Sequence, residues 1–155
     1  MRAYPLAVLT SLALLAYDYP DTPVRPPSGL RGEWQGTARI VTVELHDTSF
    51  PVHIDIHADG RVTGTVGDST LIDGRFFRHR PSGVSRKERH DLMDYMIKGK
   101  LVGAIISAKR VIAPEVFIPL DYDDGKFDGA VHTHKTEIGE TKFGILSSEI
   151  TFNRP

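Results

Sequence analysis

The sequence contains no cysteine. That absence removes disulfides, thiolate zinc sites, iron–sulfur clusters and cysteine nucleophiles together, so the core has to hold by packing and hydrogen bonding alone. An excess of charge is missing as well: 19 Lys and Arg stand against 20 Asp and Glu, a net charge of -1. A dedicated nucleic-acid binder needs a strongly basic domain or stripe, so no nucleic-acid partner is expected. Catalytic signatures are also lacking. There is no Gly-x-Ser-x-Gly elbow and no phosphate-binding glycine loop ahead of a helix. The acids Asp121, Asp123, Asp124 and Asp128 around Gly125 lack the closing glutamate of an EF-hand loop and read as a solvated turn. With 40% hydrophobic and 25% charged residues, the composition excludes both global disorder and a polytopic membrane protein.

What is present falls into three parts. Residues 1–17 are leader-like, with Arg2 ahead of an apolar run from Ala3 to Tyr17 that is short for a bilayer span and of the length of a secretory segment. Residues 18–29, with Pro20, Pro23, Pro26 and Pro27, cannot continue a helix and read as an extended tether. Residues 30–155 form one domain. An export segment followed by a tether implies an extracytoplasmic protein, periplasmic or associated with the cell envelope, whose N-terminal segment contacts a membrane surface. The leader resembles that of a bacterial lipoprotein up to Leu14-Leu15-Ala16, but Tyr17 stands where the lipidated cysteine belongs, and without a thiol no thioether forms.

From Arg31 onward the pattern is one of strands. Trp34, the only tryptophan, lies between Gly32 and Gly36 on a face shared with Ala38 and Ile40. Val41, Val43 and Leu45 then take the apolar positions, so a bulge or bend is expected near Ile40. Val52, Ile54 and Ile56 alternate with His53, Asp55 and His57 up to Asp59-Gly60, a signal for a tight primed hairpin turn. Return strands are expected over 61–66 and, interrupted at Asp73-Gly74, over 70–77. A further strand spans 95–107, another 116–120, and the last pair surrounds Phe127 to Val131 and Phe143 to Phe152. Between them, Ser85 and Glu88 are placed to open a short helix in the long connection. About eight evenly spaced strands predict an all-β, up-and-down antiparallel barrel. Asp59-Gly60-Arg61-Val62-Thr63-Gly64 is echoed by Asp124-Gly125-Lys126-Phe127-Asp128-Gly129, and Gly32 with Gly36 by Gly99 with Gly103, which suggests two similar four-stranded halves.

Gly32-x-Trp34 on the first strand matches a lipocalin opening, and Asp59-Gly60-x-Val62-Thr63-Gly64-Thr65-Val66 is similar to an avidin hairpin. The domain thus resembles the calycin superfamily of small antiparallel barrels. The resemblance implies that Arg154, after the last strand, lays its cation over Trp34. Avidins surround biotin with several tryptophans, so one tryptophan points away from biotin.

Two clusters carry candidate chemistry. His53, Asp55 and His57 share one strand face, as do His132 and His134, and the five together could hold zinc or copper. Their apolar neighbours face the opposite way, so both rows are expected on the solvent side and no metal is assigned. The connection carrying Arg78, Arg80, Arg86, Lys87 and Arg89 would suit an anion-attracting rim at a barrel mouth. The expected function is non-catalytic binding of a small apolar or anionic amphiphilic molecule, with no cofactor. Trp34, Ala38, Ile40, Ile54, Ile56, Val62, Leu101, Ile118 and Phe127 would line the interior, with Arg78, Arg80 and Arg86 at the head group. A small barrel hydrolase or isomerase, or an envelope-associated structural protein with a filled barrel, remain the alternatives.

Overall fold

The computed structural model describes residues 22–42, 45–78, 95–123 and 125–155. The strands are β1 (Thr22–Pro23), β2 (Gly32–Ile40), β3 (Ser49–Ile56), β4 (Arg61–Val66), β5 (Ser69–Arg78), β6 (Tyr95–Val102), β7 (Ala104–Ile106), β8 (Val111–Ile112), β9 (Glu115–Asp123), β10 (Lys126–Ile138) and β11 (Thr141–Phe152). Eight of them, in the order β2-β3-β4-β5-β6-β9-β10-β11, pair antiparallel with their neighbours, and β11 returns to β2 to close the barrel. The closing seam pairs Ser148 with Ile40 and Glu149 with Arg39, and a separate bridge joins Gln35 to Asn153. Glycine is required on this seam. A Cβ on Gly36 would run into the Thr151 carbonyl oxygen and crowd the Ile150 side chain.

The period-two pattern decides which side chains point inward. Val52, Ile54 and Ile56 on β3, Phe127 and Val131 on β10, and Leu146, Ile150 and Phe152 on β11 are all buried, while their sequence neighbours face out. The expected lining residues Trp34, Ala38, Ile40, Ile54, Ile56, Val62, Leu101, Ile118 and Phe127 all belong to this single core.

Several local expectations are sharpened or corrected. Of the bulge or bend expected near Ile40 the structure has the bend: β2 ends at Ile40, Val41 is 47% exposed, and the chain bends at Thr42 ahead of a turn with Asp47 at φ 66°. The Asp59-Gly60 hairpin has a longer loop than a two-residue primed turn. His57 N donates to Arg61 O and Gly60 N to His57 O, with Gly60 alone at positive φ, the geometry of a turn followed by a glycine bulge. The strand expected over 95–107 breaks at Gly103, whose φ of 101° redirects the chain into β7. The four-stranded halves do follow one another, but Gly32 pairs with Ile56 beside its hairpin whereas Gly99 pairs with Val116 in mid-barrel, so that glycine echo is not structurally equivalent. The short helix expected after Ser85 lies outside the described residues.

The end of the barrel where β2 begins is closed by the N-terminal segment, and from Thr22 onward the expected tether is not free. Thr22 and Pro23 pair with Arg78 and Phe77 of β5, and Val24 N donates to Phe76 O. Prolines forbid helix here but fit an extended edge segment, which needs few backbone donors. A 3-10 turn over Ser28–Leu30 then buries Leu30 beneath the barrel, where its carbonyl accepts the Trp34 indole N–H at 3.0 Å. Trp34 packs against Phe127 with ring centroids 4.4 Å apart, and Tyr122 approaches edge-on at 6.2 Å.

Arg154 completes this closure. Its guanidinium lies 3.9 Å from the Trp34 ring centroid and donates to the carbonyls of Arg31 at 2.6 Å, Gly29 at 2.7 Å and Glu33 at 3.3 Å. One side chain thereby ties the C-terminus to the N-terminal segment. Arg154→Ala is expected to cost about 1–3 kcal/mol, combining a cation–π contact with hydrogen bonds from a charged donor. Arg154→Lys should recover less than half of that, because an ammonium cannot lie flat on the ring while reaching several carbonyls. Urea unfolding of the three proteins measures this, and equal stability of parent and alanine variant would contradict it.

Candidate functional site

The opposite end is covered by an insertion between β6 and β9. β7 and β8 pair through Ala104 with Ile112 and Ile106 with Val111, joined by a 3-10 turn over Ser107–Lys109 and by Arg110 in the left-handed region. β8 also pairs with the end of β10, Val111 with Ile138 and Ile112 with Glu137. The insertion turns Ile105, Val111 and Ala113 downward, and all three are fully buried.

This strap reaches the other connections at its end of the barrel. Asp68 N donates to Ile105 O at 3.0 Å, and the Asp68 carboxylate accepts Ser107 N–H at 3.0 Å. Lys109 Nζ donates to Thr48 Oγ1 at 2.8 Å, and Gly139 N donates to Arg110 O at 3.0 Å. The Ser107 N–H holds the Asp68 carboxyl below the ordinary carboxylate value. Asp68 is therefore charged at neutral pH, and this latch is lost only as pH falls through that lowered value.

The side chains beneath the strap differ from those at the Trp34 end. Trp34, Phe76, Phe127 and Phe152 fill the Trp34 half. Among the described residues under the strap, Phe50 is the one buried aromatic amid aliphatic and hydroxyl side chains. Thr133 and Thr136 share a 2.7 Å hydrogen bond, although an uninterrupted strand would point them to opposite faces. The irregularity between them, with Lys135 at φ 53°, turns both inward. Ser69 donates to Val66 O at 2.6 Å. Ser148 is 1% exposed and its hydroxyl meets no protein partner. Among the described residues the buried polar side chains are these four hydroxyl residues, and no ionisable group is buried with them. Such an interior offers apolar contact and single neutral hydrogen bonds, and it cannot neutralise an ion.

The five-residue metal site is not assembled. β3 and β10 are separated by β2 and β11 around the barrel wall, so the two histidine rows lie three strands apart on the outer face. No group of three possible metal-binding side chains comes together among the described residues. His53 and Asp55 instead line a shallow outer groove of about 260 Å³ with Glu33, Gln35 and Thr63. His57 Nε2 shares a 3.0 Å hydrogen bond with Thr63 Oγ1 and lies 3.8 Å from Asp55 Oδ2. His132 Nδ1 bonds the Ser147 hydroxyl at 2.9 Å, and burial, then the neighbouring His134, lowers its pKa.

Of the basic connection, only the two ends lie among the described residues. It leaves β5 at Arg78 and enters β6 at Tyr95, residues that pair with each other at the Trp34 end. Its anchors therefore belong to the closed end rather than to a mouth. Arg78 is exposed there, and Arg80, Arg86, Lys87 and Arg89 lie outside the described residues. The exposed cations at the strap end include Lys109 and Arg110 on the strap itself and Lys142 at the start of β11. Sequence reasoning missed the strap and the inward hydroxyls, although Ser148 was visible as a hydroxyl at an inward position of the alternation Leu146, Ser148, Ile150, Phe152.

These observations define the class: a closed eight-stranded antiparallel β-barrel, consistent with a calycin-like barrel. The chain matches no protein family, no curated protein and no solved structure with which it was compared.

Proposed function

We propose that this protein is a non-catalytic, extracytoplasmic barrel of the lipocalin type that binds one small, largely apolar molecule in the half of its interior beneath the strap. The observation that carries the reading is the difference between the two ends. The Trp34 end is fixed by a buried indole, an arginine stack and a paired N-terminal segment. The other end is covered by a short insertion that buries the aliphatic side chains of Ile105, Val111 and Ala113 and is tied to its surroundings by a two-residue pairing with β10 and by hydrogen bonds to neighbouring turns, those of Ser107 and Lys109 exposed. A segment held by so short a pairing and by exposed side-chain hydrogen bonds opens at lower cost than a barrel floor built on a buried tryptophan, so ligand entry belongs there. Eight strands enclose room for packed side chains or one small ligand, and the aliphatic side chains under the strap repack more readily than the aromatic floor.

The lipocalin comparison rests on Gly32-x-Trp34 with Arg154 laid over the ring. The location outside the cytoplasm, and contact of the N-terminal segment with a membrane surface, rest on the leader-like sequence of residues 1–17. An anionic head group, if the ligand has one, stays outside the barrel near Lys109 and Arg110, since no cation is buried among the described residues. The neutral fluorescent probe N-phenyl-1-naphthylamine is expected to bind saturably with a stoichiometry near one. Fluorescence that rises without saturation would contradict an interior site and leave a filled, structural barrel.

A further inference from the structure

We propose that Ser148 is the polar anchor of the interior site, and that the ligand it receives is an uncharged apolar molecule bearing a hydroxyl or carbonyl group. The inference rests on the interior-binding reading above and narrows it to a chemical class.

Ser148 sits on β11 with inward-facing Ile40 of β2 and Val131 of β10 as its cross-strand partners. Along its own strand the flanking inward residues are Leu146 and Ile150, so its hydroxyl projects among aliphatic side chains. The other buried hydroxyls at this level are satisfied: Ser69 by the Val66 carbonyl, Thr133 and Thr136 by each other. Ser148 alone meets no protein group. Removing a hydroxyl from water without giving it a partner destabilises a fold, and an alanine of nearly the same size would avoid that cost. A partner supplied by the ligand accounts for a serine at this position.

The chemistry of that partner follows from what surrounds it. A hydroxyl donates one hydrogen bond and accepts others, so it suits an alcohol or a carbonyl oxygen equally well. A carboxylate would arrive with a full charge that no buried cation among the described residues offsets. The ligand group meeting Ser148 is therefore neutral.

The test displaces N-phenyl-1-naphthylamine from the full chain with 1-octanol, octane and octanoate at neutral pH. The parent is expected to prefer octanol over both other compounds. In Ser148→Ala, octanol should bind about tenfold more weakly, the equivalent of one neutral hydrogen bond, while octane binds as before. The thermal midpoint of the empty variant should stay level or rise, which separates a lost anchor from a damaged fold. Ser148→Cys provides a second readout, because it places the chain's only thiol in the site. Octanol should slow its reaction with N-ethylmaleimide, and octanoate should not. Equal octanol affinity in parent and alanine variant, with probe binding intact, overturns the role of Ser148 while the binding function stands. Octanoate competing as well as octanol overturns the neutral class. Failure of the parent to bind the probe overturns the binding function and this inference with it.

Discussion

Trp34→Ala is expected to lower folding stability by about 3–5 kcal/mol, the range for deleting a large aromatic from a packed core. Domains of this size hold only about 5–15 kcal/mol in total, so the loss is a large share of the whole. The side chain is 1% exposed and meets three partners at once: the Phe127 ring, the Leu30 carbonyl and the Arg154 guanidinium. Removing it leaves a cavity at the barrel floor, frees the 3-10 turn over Ser28–Leu30, and takes away the surface on which Arg154 lies. Trp34→Phe keeps a ring beside Phe127 but lacks the indole donor, and should cost about 1–3 kcal/mol. Because the variants lose the only tryptophan, far-ultraviolet circular dichroism under urea is the suitable measurement. A loss below about 1 kcal/mol for the alanine variant would mean that Trp34 does not hold the closed end, whatever its contacts suggest.

The parts of this fold that were legible in the sequence are those set by local periodicity. His53, Asp55 and His57 alternate with Val52, Ile54 and Ile56, and a sheet with one dry face leaves a single way to place them. The cation over Trp34 was legible for a different reason, through the likeness of Gly32-x-Trp34 and Arg154 to lipocalins. Features that depend on how strands are ordered around the barrel were harder to read. The two histidine rows share a face type but not a location, because β2 and β11 stand between β3 and β10. Ile105 and Ile106 continue an apolar run after Leu101, so nothing in hydrophobicity separates the strap from β6. The separation is made by the positive φ of Gly103 and by pairing with β10, which is remote in sequence. The end to which the basic connection belongs could have been found by counting. In an up-and-down barrel successive connections alternate between ends, and the one after β5 must return to the end where β2 begins. The proline segment misled because proline excludes helix and central strand equally, while an edge such as Thr22–Pro23 tolerates it.

The central claim is that a small apolar molecule reaches the barrel interior past the strap, and locking the strap tests it most directly. Asp68 and Ser107 face each other across the latch, with Ser107 N 3.0 Å from the Asp68 carboxylate and Asp68 N 3.0 Å from Ile105 O. The chain has no cysteine of its own, so Asp68→Cys with Ser107→Cys introduces the only possible intramolecular cross-link, closed by oxidation or by a short bis-maleimide. Uptake of N-phenyl-1-naphthylamine is then followed in the same preparation before and after cross-linking, and again after reduction of the disulfide form. The account predicts saturable binding in the open form, at least a tenfold slower approach to saturation in the locked form, and recovery on reduction. Equally fast saturable uptake with the strap locked would contradict it.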